Sequence, residues 1–127
     1  FYGYVEHPEK IIGTWDIGIA LYDGGLNNLS RYAEPTKIKD YLSFGLPVIT
    51  TKTTYFAKEV EKYKAGIVIH ESPAALRAAV LKIRAHYSQY VRGVNTIMPR
   101  YEYTSWYDRK FIFLKTLPSQ PQRKLIE

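Results

Sequence analysis

The sequence predicts an α/β fold, a parallel sheet with helices on both faces. Two observations lead there. Short runs rich in apolar and β-branched residues recur at 16–22, 47–51 and 66–70, the pattern of strands buried on both sides. Between them lie stretches with apolar residues spaced by three and four, the mark of amphipathic helices. Strict alternation of the two kinds points to parallel strands joined by right-handed crossovers.

The elements follow in order. Phe1 to Val5 reads as a strand, and His7-Pro8-Glu9-Lys10 as a turn opening a helix, with Pro8 suited to the first helical position. Asp16 to Tyr22 is almost continuously apolar and reads as the next strand. Asp23 to Ser30 is dense in turn formers and predicts a long loop. Pro35 to Phe44 reads as a helix with Ile38, Tyr41 and Leu42 on its apolar face and Gly45 just past its end. Pro47 to Thr51 is β-branched and short, hence a strand. Thr54 to Tyr63 predicts a helix resting on Phe56, Val60 and Tyr63, and Gly66 to His70 the following strand. Ser72 caps the next helix with Pro73 at its first position, and Leu76, Val80, Ile83, Tyr87 and Tyr90 carry a single apolar stripe along it. Val94 to Arg100 reads as an irregular link, and Tyr103 to Leu117 as a last helix. Pro118 onward is polar and proline-bearing, the composition of a flexible tail over 118–127.

Size and composition narrow the function classes. The chain has 127 residues, 46% hydrophobic and 24% charged, which suits one globular domain with a core of its own. It has no cysteine, so disulfides, thiolate metal sites and a cysteine nucleophile are excluded. No apolar run approaches the ~20 residues of a membrane helix. The first residue is Phe1, not methionine, and the expectation is that further residues precede it. The net charge is +6, with much of the excess after Lys82. That excess is read as a solvated basic surface, as attraction to anionic lipid or an anionic substrate, or, least favoured, as attraction to nucleic acid. No nucleic-acid-binding module is present. The expected setting is cytoplasmic, with peripheral membrane association the reading in which the basic excess meets lipid.

The chemistry concentrates between Tyr32 and Ile49. In open parallel sheets, ligands sit outside the carboxyl ends of the strands, where the loop from Asp23 to Glu34 is expected. The helix that begins near Pro35 offers unpaired backbone N–H groups and a positive dipole end, which attract phosphate. Lys37 in its first turn disfavours the dipole unless an anion compensates; alternatively it points to solvent or pairs with Glu34. Asp40, one turn on, could accept hydrogen bonds from a ribose diol, or be an ordinary exposed acid beside Lys37 and Lys39. Gly24-Gly25 reads as a turn, since no phosphate-loop fingerprint is present. Tyr22 or Tyr32 could stack on a base or sit at the core edge. His7, His70 and His86 are scattered, without metal-ligand spacing, and no metal is expected.

Residues 35–49, Pro-Thr-Lys-Ile-Lys-Asp-Tyr-Leu-Ser-Phe-Gly-Leu-Pro-Val-Ile, resemble the Pro-x-Lys-apolar-x-Glu-Tyr-apolar-Ala-x-Gly-x-Pro-Val-apolar run of GT-B glycosyltransferases, particularly the large, mainly retaining group 1-like family. The flanks agree in order: Phe1-Tyr2-Gly3-Tyr4-Val5 upstream, Ala65-Gly66-Ile67-Val68 downstream, and Thr104-Ser105-Trp106 before the closing helix. The resemblance implies a Rossmann-like domain over residues 1–117, the partial C-terminal half of a GT-B architecture and N-terminally truncated. It implies binding of a nucleotide-diphosphate sugar as donor substrate, with no other cofactor, for transfer to a glycan or lipid-linked acceptor. The donor-binding residues it implies are Tyr32, Glu34, Pro35, Thr36, Lys37 and Asp40; no catalytic residue is assigned. Asp40 stands where the group usually has Glu, and the glycines of its Glu-Gly-Phe-Gly-Leu loop are not found here. The implied partner is an N-terminal acceptor domain, without which this chain alone is expected to be inactive. Two other readings remain open: a nucleotide-sugar epimerase on the same two-domain plan, and a non-catalytic α/β interaction domain.

Overall fold

The computed structural model describes residues 5–25 and 36–101. The expected strand over Phe1–Val5, the loop beyond Gly25, the last helix and the tail lie mostly or wholly outside these residues. The described elements are α1 (Glu9–Ile12), β1 (Gly18–Ala20), α2 (Thr36–Ser43), β2 (Val48–Thr51), α3 (Phe56–Lys62), β3 (Gly66–Ile69), α4 (Pro73–Ala85) and α5 (Tyr87–Ile97), with a 3-10 turn at Met98–Arg100.

The three strands form a parallel sheet in the order β1-β2-β3. Gly18 pairs with Val48, and Val48 with Gly66. All four residues of the central strand β2 are buried, which explains its unbroken β-branched run. Side chains alternate between the two faces. Ala20 and Val48 pack with Ile38 and Leu42 of α2, Phe56 and Val60 of α3, and Val94 and Ile97 of α5. Ile49 and Ile69 point the other way, into a second cluster with Ala79 and Ile83 of α4 and Tyr90 of α5. Helices therefore cover both faces, as the alternation predicts.

Local signals set the boundaries. At the end of α2, Gly45 takes φ +78°. Its N–H donates to the Leu42 carbonyl (2.9 Å) and the Leu46 N–H to that of Tyr41 (3.0 Å), a Schellman closure. Ser72 accepts the Ala75 N–H at 3.1 Å, capping α4 as its sequence predicts. Pro8 is the N-cap of α1 rather than its first helical residue.

Two expectations are corrected. The stripe from Leu76 to Tyr90 does not run along one helix. The backbone breaks at His86 (φ −127°, ψ 32°), and α5 begins at Tyr87. The segment Val94–Arg100 is not irregular: α5 continues to Ile97 and a 3-10 turn follows. The reason is packing on opposite faces. Tyr87 and Tyr90 belong to the α4 cluster, whereas Val94 and Ile97 belong to the other. To serve both, α5 crosses the end where the strands begin. Gly93 permits the crossing, because a Cβ there would come within 2.4 Å of the carbonyl oxygens of both Tyr63 and Lys64, just ahead of β3.

Candidate functional site

α2 is anchored by Ile38 and Leu42, both fully buried. That anchoring turns Lys37, Asp40 and Tyr41, spaced as i, i+3 and i+4, toward α1. Between the two helices is a cleft of about 300 Å3. Its α2 wall carries Lys37, Asp40 and Tyr41, and its other wall is apolar, formed by Pro8, Ile11, Ile12 and Trp15. The rings of Trp15 and Tyr41 meet with centroids 6.3 Å apart at 54°. Trp15 is 40% exposed, so much of the indole remains open to a guest.

Lys37 and Asp40 are exposed. Neither side chain has a hydrogen bond or ion pair to another described residue. The first turn of α2 holds no acid to offset Lys37, so positive charge accumulates at the dipole's positive end. Tyr22 leaves β1 on the same face as Gly18 and Ala20 and packs, half-buried, against the α2 core cluster. Burial raises its phenol pKa, and the nearby Tyr41 and Asp40 add to the rise.

Of the residues the sequence singles out, Thr36, Lys37 and Asp40 fall together on α2. Tyr32, Glu34 and Pro35 lie outside the described residues. No group of three or more His, Asp or Glu among the described residues could hold a metal ion. No helix among them is long and apolar enough to cross a membrane. The α1 wall was not anticipated from sequence, although Pro8, Ile11, Ile12 and Trp15 step as i, i+3, i+4 and i+7, a signal that could have found it. A larger cleft of about 490 Å3 runs along β3 beside Lys64, Lys82 and Gln89. Its lining includes none of the site residues the sequence singles out, whereas the α1–α2 cleft holds Lys37 and Asp40; the α1–α2 cleft is therefore preferred despite its smaller size.

Residues 14–108, about three quarters of the chain, match the family model of the glucosyltransferase 3-like, C-terminal domain. The chain belongs to that family. It is a glycosyltransferase C-terminal domain. No curated protein and no solved structure matches it. The stretch that matches this glucosyltransferase 3-like domain includes Trp15 and all of α2, while α1 lies ahead of it.

Proposed function

We propose that this glucosyltransferase 3-like domain binds the nucleoside diphosphate portion of a sugar donor in the α1–α2 cleft, as the donor half of a GT-B glycosyltransferase. The observation that carries the reading is the pairing of an apolar, aromatic wall with Lys37 and Asp40, neither of them hydrogen-bonded or ion-paired through its side chain to a described residue. A base is a flat, largely apolar ring, and Trp15 and Tyr41 offer it packing surface. Asp40 accepts hydrogen bonds from the ribose hydroxyls, and its distance from the base follows from its place on α2. Lys37 and backbone amides at the start of α2 meet the diphosphate in this reading. Tyr32, Glu34 and Pro35 precede α2 in sequence and complete the donor side in this reading. The cleft volume lies at the small end of ligand pockets, which suits a nucleoside more than a whole nucleotide sugar.

Transfer breaks the bond between the sugar's anomeric carbon and the diphosphate oxygen. Negative charge then grows on the departing diphosphate. Lys37 and the α2 amides stabilise that charge as it forms, and the fixed grip on base and ribose positions the bond to be broken. The acceptor is supplied by a second domain of a longer protein in this reading, so this chain alone binds the donor and transfers nothing.

Titration of the chain with UDP, GDP, ADP and dTDP, followed by amide NMR, tests the proposal. At least one of them is expected to shift resonances in residues 8–15 and 36–41, with weaker binding in Lys37→Ala and Asp40→Ala. Absence of shifts in both segments with all four nucleotides would sink it.

A further inference from the structure

The backbone pairing of β1 with β2 ends at Ala20 and Thr50. Past that point the chain after β1 is held by hydroxyls instead. Thr50 Oγ1 donates to the Ala20 carbonyl at 2.8 Å. Thr51 Oγ1 donates to the Tyr22 carbonyl at 2.7 Å and accepts the Tyr22 N–H at 3.0 Å. Thr53 Oγ1 donates to the same Tyr22 carbonyl at 2.6 Å. Each hydroxyl has one proton, and both protons are then spent on one oxygen. The 3.3 Å approach of the Thr51 and Thr53 oxygens is therefore a by-product of this convergence, not a further bond. The two donors fill both lone pairs of the Tyr22 carbonyl, and Thr51 also takes its N–H, so the whole backbone polarity of Tyr22 is committed to two side chains.

The grip continues along the chain. Asp23 Oδ1 accepts the Gly25 N–H at 3.0 Å. Gly24 lies so close to Thr53 that an added Cβ would sit 3.3 Å from its hydroxyl oxygen. Tyr22 is thus the fixed point from which the chain leaves the carboxyl end of β1. Its side chain is carried on the α2 face of the sheet and packs against the cluster that holds Ile38 and Leu42 of α2.

We infer that Thr51 and Thr53 are positioning residues for nucleotide binding: their hydroxyls lock the backbone of Tyr22 and thereby set its side chain against α2, the helix that carries Lys37, Asp40 and Tyr41 of the cleft. The inference rests on the donor reading above. It assigns the β2–α3 segment a part that neither its strand-like composition nor the cleft lining reveals. The two threonines touch no ligand in this scheme and act through Tyr22.

The test uses the intact chain as Thr51→Val/Thr53→Val and Thr51→Ser/Thr53→Ser double variants. Valine keeps the shape and removes both donors; serine keeps both donors. Without nucleotide, amide hydrogen exchange at Tyr22 is expected to speed up about tenfold in the valine pair and to stay near wild type in the serine pair, the scale of losing one or two hydrogen bonds. With whichever of UDP, GDP, ADP or dTDP binds wild type best, Kd is expected to rise about tenfold in the valine pair and to recover in the serine pair, measured well below either variant's unfolding temperature. Unchanged exchange at Tyr22 would overturn the clamp itself, whatever binds. Faster exchange with unchanged Kd would overturn the positioning role while leaving the donor reading intact. If no nucleotide binds wild type, the donor reading falls and takes this inference with it.

Discussion

Tyr41 occupies the space above Gly18: a Cβ added to residue 18 would lie 2.4 Å from both Cγ and Cδ2 of the tyrosine, and 2.6 Å from its Cβ. The close approach reaches the root of the side chain, so a rotamer change alone does not relieve it. Gly18→Ala is expected to push α2 off the sheet and destabilise the domain by about 1–3 kcal/mol, the range for overpacking. Urea denaturation reads the loss. Because Tyr41 also walls the cleft, nucleotide affinity should fall in the same variant at temperatures where it remains folded.

Lys37 and Asp40 should separate by ligand. Asp40→Asn is expected to weaken binding of a nucleoside and of its diphosphate alike, by about tenfold or more, the scale of a hydrogen bond to a charged group. Lys37→Ala should weaken only the diphosphate, and the difference should shrink as salt is raised. Calorimetric titration with both ligands at two ionic strengths measures this. Equal loss of both ligands in Lys37→Ala would contradict the assignment.

Tyr101 should make stability fall at alkaline pH. Its hydroxyl donates to Glu59 Oε2 at 3.2 Å, and its ring packs on Phe56 with centroids 4.7 Å apart. Burial, followed by the charge and hydrogen bond of Glu59, pushes the phenol up to about 12 from 10.0. Below pH ~10 the phenol is protonated in both states and contributes no pH dependence. Between pH ~10 and ~12 the unfolded chain releases the proton while the folded chain keeps it, so stability drops, by about 1 kcal/mol once solvent screening at this partly open site is allowed for. Tyr101→Phe should flatten that part of the slope, while costing about 1 kcal/mol at neutral pH for the lost bond. Denaturant titrations from pH 8 to 12 compare the two slopes.

Thr54 should be improvable. It is 2% exposed, and its hydroxyl oxygen has no hydrogen-bond partner among the described residues. A buried polar group without a partner has given up its hydration for nothing in return. Thr54→Val is expected to raise stability by about 1 kcal/mol, seen as a higher urea midpoint at unchanged slope.

The sheet and most helix boundaries were legible because their signals are local. Val48 to Thr51 announces a strand by its own composition, Ser72-Pro73 a helix start, and Gly45 a helix end. The break at His86 was not legible, since no Gly or Pro marks it and the apolar spacing runs on unbroken from Ile83 to Tyr87 and Tyr90. What decides it is which face of the sheet each residue must reach, a property of the assembled layers. The site divides in the same way. Lys37 and Asp40 could be read from their places on one helix. The wall from Pro8 to Trp15 faces them across about 25 residues of chain, a range where periodicity is silent. Thr51 reads as the end of a strand and Thr53 as part of the link after it, yet their partners lie 29 and 31 residues back.

The passage of α5 from one side of the sheet to the other means that the two apolar clusters have a common member. Tyr90 cannot leave its neighbours without loosening Val94 and Ile97 one turn on, and the reverse holds equally. A molecule with a separate helix for each side could melt in stages; here loss of either side withdraws support from its counterpart, so thermal melting followed by tyrosine absorbance and by far-ultraviolet ellipticity should give one shared midpoint.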